Sequence, residues 1–292
     1  MAQMASLFPG VALVTGAASG IGQAVAAAFA AEGCTRIAIC DISLEGLNET
    51  AKQLNATKTA EFVEIEIVKV DVSNSSAVYS MIDQIVARWG RVDYVVNSAG
   101  IQGPSLRSTD LDPADFDIIN DINYRGLWLC SRAQLSQMLK QEISPSHDGR
   151  PGARGSIVHI ASQLGLVART VAPAYSASKA AVISLARSDA IDVSICIHHK
   201  FGTHATCAQY SRDSIRVNCV CPGLVARADK NAERSTPMTG RSDETRALFA
   251  PAVAIAPMNR MGEAREIADA CLFLCSSKAS FVQGTALVSD VA

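Results

Sequence analysis

The chain has 292 residues, 49% of them hydrophobic, and a formal net charge of −2. This balance gives no electrostatic ground for binding nucleic acid or an anionic membrane, and no run of about 18 or more apolar residues is present to span a bilayer. Met1 to Gly10 lacks a basic flank followed by an apolar stretch, so the expectation is an unsecreted, cytoplasmic protein whose nine scattered cysteines are reduced core thiols.

Short apolar runs alternate with helical patterns from end to end, which predicts an α/β fold: one domain over residues 1–292, built on a seven-stranded parallel sheet flanked by helices. The first strand, Val11–Val14, runs into the turn Thr15-Gly16-Ala17-Ala18-Ser19-Gly20-Ile21-Gly22 and the helix Ile21–Glu32. Bare backbone at such a turn lets a pyrophosphate approach a helix N-terminus, although glycines also serve packing there. The second strand, Arg36–Cys40, is followed by Asp41, about 20 residues beyond the turn, where a carboxylate can accept from both adenosine ribose hydroxyls and repel a 2′-phosphate. No Arg or Lys stands at Ala17, Ala18, Ile42 or Ser43, so the expected cofactor is NAD rather than NADP. The competing role for Asp41 is to cap the next helix, Ser43–Leu54.

Strands follow at Ile65–Val70, Tyr94–Val96, Ser156–Ile160, Ile215–Val220 and Thr285–Val288. The helices between them are Ser76–Trp89, a long one over Ala114–Gln141, Ala174–Ile191 and Glu263–Cys275. Ser144 to Gly155 reads as a surface loop, and the region of about 224–260, chiefly Ala226 to Met258, as a lid over the substrate. In the fifth helical pattern, Ala174–Ile191, Tyr175 and Lys179 stand four apart and share a face. A phenol beside an ammonium is suited to moving a proton on or off an alcohol.

Taken in register, Thr15-Gly16-x-x-x-Gly20-x-Gly22, Asp71-Val72, Asn97-Ser98-Ala99-Gly100, Asn123, Ser162, Tyr175-x-x-x-Lys179 and Pro222-Gly223 resemble the short-chain dehydrogenase/reductase family over almost the whole chain. The resemblance implies a Rossmann-like doubly wound domain. Gly16, Ser19, Gly20, Ile21 and Gly22 would then meet the phosphates, Asp71 and Val72 the adenine, and Pro222-Gly223 the nicotinamide. Asn97, Ala99 and Gly100 would belong to the floor beneath the nucleotide. Tyr175 would be the acid–base, Lys179 would hold the nicotinamide ribose and help to deprotonate Tyr175, and Ser162 would hydrogen-bond the substrate oxygen. Asn123 would kink the long helix or hold a water that relays protons. Asp71 has a competing role as a helix cap, and Pro222-Gly223 as a plain turn. The expected reaction interconverts a secondary alcohol and a ketone. Leu164, Leu166, Val167 and Val171 suggest an apolar ligand surface that a small, ring-bearing substrate fits, with a place in the core as the competing role, and a homodimer or homotetramer is expected.

Two features depart from the family pattern. Val193 to Gln209, 17 residues and hence a whole number of codons, separates Asp192 from Tyr210; its Val-Ser start and Gln end are what an in-frame retained intron would encode. Within it Cys196, His198, His199, His204 and Cys207 are zinc-type ligands, but their spacing matches no familiar finger, and no metal is expected. The chain also ends at Ser289-Asp290-Val291-Ala292, where an acidic residue and a Gly-Gly turn usually continue. Two other readings therefore stand beside the enzyme: an inactive, nucleotide-binding product of intron retention, and a non-redox relative.

Overall fold

The computed structural model describes residues 6–56, 62–193, 214–226, 253–254 and 257–290. One parallel sheet organises them, in the order β3-β2-β1-β4-β5-β6-β9. Its strands are β1 (Val11–Thr15), β2 (Arg36–Asp41), β3 (Glu64–Lys69), β4 (Tyr94–Asn97), β5 (Gly155–Ile160), β6 (Ile215–Pro222) and β9 (Ala286–Ser289). A two-residue ladder pairs β7 (Val225–Ala226) with β8 (Gly262–Glu263). The helices are α1 (Gly20–Ala31), α2 (Leu44–Ala56), α3 (Ser75–Trp89), α4 (Pro113–Asn120), α5 (Leu127–Met138), α6 (Pro173–Asp192) and α7 (Ala264–Cys275).

Why the strands are apolar on both sides follows from the two layers that cover them. Val11 and Leu13 pack with Val78, Ile82 and Ile85 of α3, Leu127 and Cys130 of α5, and Val182 and Ala186 of α6. Their neighbours Ala12 and Val14 turn to the other face, against Val25 and Phe29 of α1, Leu47 and Leu54 of α2, and Ile267 and Cys271 of α7. Period-two alternation therefore feeds two cores from one strand.

Helix ends match their residues. The Asn74 side chain accepts from the Ala77 amide to start α3, and Gly90, at φ 78°, closes it. Thus Asn74, not Asp71, is the cap; Asp71 Oδ1 instead accepts from the Ser73 amide and hydroxyl at 2.9 and 2.7 Å. The long helix expected over Ala114–Gln141 is broken in the middle. Between α4 and α5, Asp121–Gly126 winds as a π-helical turn, and this turn carries Asn123.

The order of strands reverses between β1 and β4, and ligands of such sheets bind outside the strand ends at that point. The glycine turn sits there. A Cβ on Gly22 would run into the Gly16 carbonyl, whereas one on Gly20, at φ 58°, would meet nothing within 4 Å. Gly22 is therefore needed for closeness of helix to strand, and Gly20 leaves a bare, open backbone face. Gly22→Ala is expected to lower stability by about 1–3 kcal/mol and to weaken nucleotide binding, read by a thermal melt with and without NAD.

Candidate functional site

The N-terminus of α1 has no acidic residue in its first turn, and the side chain of its N-cap, Ser19, makes no capping hydrogen bond to it. Its amides therefore present positive potential toward the open side of Gly20. Asp41 ends β2 beside this turn: Oδ2 accepts from the Ala18 amide at 3.1 Å and Oδ1 from the Ser43 amide at 2.9 Å. The start of α2 is held by Ser43, whose hydroxyl accepts from the Gly46 amide. Val72 packs in the core while Asp71 is exposed. These features suit a dinucleotide: open backbone for the phosphates and a carboxylate at the end of β2 for a ribose.

The floor segment behaves differently in its two halves. The backbone of Ser98 and Ala99 lies against Gly16, so close that a Cβ there would sit 2.6 Å from the Ala99 nitrogen. Asn97, by contrast, turns its side chain inward. Its amide exchanges hydrogen bonds of 2.8 and 2.9 Å with Gln134 of α5 and lies 3.3 Å from His159 Nδ1. His159 is fully buried and pushed down to about 3 by that burial, so it is neutral, and Nε2 has no partner among the described residues. At the far side Gly223 donates its amide to the Ser289 carbonyl, and the Asp290 carboxylate rests against its Cα.

Four side chains from three segments converge beyond the C-terminal end of β5. Ser162 caps the short turn Gln163–Gly165, its oxygen accepting from the Leu164 amide at 3.1 Å, and its hydroxyl acts to lower the Tyr175 phenol. Lys179, one turn further along α6, donates to the Ile160 carbonyl at 2.8 Å, with Nζ 5.7 Å from the Tyr175 ring centroid. Asn123 is buried between them and the floor. It donates to the Ile101 carbonyl at 2.7 Å and the Ser178 hydroxyl at 3.2 Å, and accepts from the Ile101 amide at 2.7 Å. Gly100 closes the group, its missing Cβ falling 3.1 Å from Asn123 Oδ1 and 3.5 Å from Lys179 Nζ. Floor, π-helical turn and α6 are thus tied into one unit.

Electrostatics divide the two titrating groups. Burial pushes the Lys179 ammonium down to about 8. Burial also raises the Tyr175 phenol, an effect opposed by the Ser162 hydrogen bond and then by the positive charge of Arg169. Arg169 is a residue the sequence reading passed over, since a lone arginine in a loop looks like surface.

Several expectations lie outside the described residues: the insert beyond Val193, including Cys196, His198, His199, His204 and Cys207, and nearly all of the lid. Val193 itself is a buried cap of α6. The seven described cysteines are free and buried. A cavity of about 430 Å³ opens at the opposite end of the strands, by the starts of β4, β5 and β6, between Tyr94, the Ser144–Ala153 hairpin, Arg216 and Phe281. Its buried charges are internally paired, Asp93 with Arg91 and Arg216 with the carbonyls that end α7, so the convergent polar groups lie elsewhere.

Comparison with known proteins agrees with this arrangement. Residues 10–195 match the family model described as short chain dehydrogenase, and residues 201–291 one described as enoyl-(acyl carrier protein) reductase. The short-chain dehydrogenase fogB of Aspergillus ruber is 35% identical over 289 residues, covering 96% of this chain and 95% of its own. Levodione reductase superposes with a TM-score of 0.79 at 29% identity over 97% of this chain and 96% of that one. NAD⁺-bound xylitol dehydrogenase does so at 0.78 and 27% identity, over 98% and 99%. A family model spanning well over half the chain, full-length relatives and the seven-stranded sheet agree: the chain belongs to the short-chain dehydrogenase/reductase family of oxidoreductases.

Proposed function

We propose that the protein is an NAD-dependent oxidoreductase that interconverts a secondary alcohol and a ketone on a small, apolar, ring-bearing substrate, with Tyr175 as the acid–base. The observation that carries this reading is Lys179, anchored on the Ile160 carbonyl at 2.8 Å with Nζ 5.7 Å from the Tyr175 ring centroid, beside the turn that Ser162 caps. Bound NAD supplies the hydride acceptor. Ser162 orients the substrate oxygen, and Tyr175 takes the hydroxyl proton as the carbon is oxidised, or returns it in the reverse direction. Lys179 holds the nicotinamide ribose, and Asn123 fixes the floor against α6.

Asp41 supports NAD over NADP. It is already turned toward the phosphate-facing turn, and a 2′-phosphate would bring a second anion against it. Asp41→Ser is expected to lower the ratio of kcat/KM for NAD over NADP by about 10- to 100-fold, measured by steady-state kinetics with each cofactor.

The levodione reductase likeness supports a cyclic substrate. Phe116, Tyr124 and Trp128, exposed on α4, the π-helical turn and α5, support a homo-oligomer, and the buried free thiols a reducing compartment such as the cytoplasm. Titration with NAD followed by a screen of cyclic alcohols for NADH absorbance tests the assignment. A parallel protein lacking Val193–Gln209 separates the enzyme from a splicing product, since turnover by the shortened form alone would favour the latter.

A further inference from the structure

A row of polar side chains crosses the sheet beneath the glycine turn. Thr15 at the end of β1 pairs in register with Asn97 at the end of β4, and Asn97 with His159 of β5. All three are buried, and each stands two residues beyond a residue of the core under α5 and α6, namely Leu13, Val95 and Ile157. Thr15 holds the floor. Its carbonyl accepts from the Ser98 amide at 3.2 Å and its hydroxyl oxygen from the Ala99 amide at 3.5 Å, and this is the backbone that lies against Gly16. With that oxygen facing an N–H, the Thr15 proton goes to Asn97 Oδ1, also at 3.5 Å.

Which end of the Asn97 amide meets Thr15 is not decided by Gln134. The reciprocal bonds of that pair, 2.8 and 2.9 Å, are equally satisfied when both side-chain amides turn over together. The remaining partner decides. His159 Nδ1 lies 3.3 Å from Asn97 Nδ2, which has a second proton to give, and the ring is fully buried and neutral. A neutral imidazole whose Nδ1 accepts carries its proton on Nε2. Nε2 has no partner among the described residues, so burying it only costs free energy, and what the ring contributes lies on its Nδ1 side. We propose that His159, as its Nε2–H tautomer, is a positioning residue for the nucleotide floor: Nδ1 selects the orientation of Asn97 in which Oδ1 receives the Thr15 hydroxyl, and Thr15 in turn holds Ala99 against Gly16. His159 acts through Asn97 and Thr15, and the inference rests on the glycine turn being the phosphate site of the proposed function.

Calorimetric titration of NADH into the substrate-free protein, beside denaturant unfolding, tests this. His159→Leu takes away the unpaired Nε2–H and leaves an unpaired proton on Asn97 instead, so the unfolding midpoint should barely move while the Kd for NADH rises about 5- to 20-fold. His159→Asn puts an amide oxygen where Nδ1 stood and should recover most of the affinity. Thr15→Val cuts the route, and in that background His159→Leu should change the Kd by less than about twofold. Nitrogen NMR of the histidine-labelled wild type should show the ring whose signal is lost in His159→Asn protonated on Nε2, a readout that stands even where His159→Leu does not fold. An affinity unchanged by His159→Leu, an equal loss in the Thr15→Val background, no recovery in His159→Asn, or a proton on Nδ1 would each overturn the proposal. Wild type that binds neither NADH nor NADPH would overturn it together with the nucleotide site. Failure of the redox assignment alone shows differently, as no NADH formed from any alcohol in the screen while these affinities hold.

Discussion

Tyr175→Phe is expected to lower turnover about a thousandfold while NAD affinity changes only a few-fold. The substitution removes one oxygen and keeps the ring, so the contact with Lys179 and the packing of α6 survive. What disappears is the proton acceptor of the proposed function. In the wild-type protein the phenol is balanced between opposing influences: burial raises it, and the Ser162 hydrogen bond and the Arg169 charge pull it back. Alcohol oxidation uses the ionised form, so its kcat/KM should climb with pH until the phenol is ionised, while ketone reduction, which uses the neutral form, should fall over the same range. The Phe variant loses the phenol's contribution to both profiles. Rapid-mixing measurements of NADH formation, with nucleotide binding followed separately, decide the matter. A variant that stays within tenfold of wild type would remove Tyr175 from the chemistry.

How much of this could be read from the chain depends on whether the signal was local. The seven strands and the helices around them, apart from the long one expected over Ala114–Gln141, fell within a residue or two of their places, because period-two and helical apolar patterns feed directly into the two cores. The family motif also placed Ser162, Tyr175 and Lys179 in the segments that the fold brings together. The break at Asn123 was harder. Asp121–Gly126 carries no local helix-breaking residue inside the stretch, and within its π-helical turn Asn123 is held by tertiary bonds to Ile101 and Ser178 that no local pattern announces.

Arg169 and His159 were missed for opposite reasons. A loop arginine reads as solvated surface, and only the fold lets its charge act on the Tyr175 phenol. A histidine within an apolar strand carries no local sign that its ring will meet Asn97 in the core. Asn97 shows the same limit, since its sequence position suggested the nucleotide floor while its side chain faces Gln134.

Lys179→Met should abolish useful turnover, by about a thousandfold, and yet raise the melting temperature of the cofactor-free protein by several degrees. Lys179 is 4% exposed, and burial lowers its ammonium from the ordinary 10.5 to about 8. Below pH 8 the lysine is protonated in both folded and unfolded chains, so the cost of burying a charge is fully present at neutral pH. Between pH 8 and 10.5 the folded protein releases its proton first, and the cost fades. Removing the charge relieves about 3 kcal/mol at neutral pH. The lost hydrogen bond to the Ile160 carbonyl takes back about 1–2 kcal/mol, leaving a gain on the order of 1–2 kcal/mol. Denaturant unfolding at pH 7 and pH 10 tests the sign: wild type should gain on the variant as the pH rises, and a variant less stable at pH 7 would refute it. The fold alone would be better served by methionine at this position, so keeping so costly an ammonium fits the ligand-binding role proposed for Lys179.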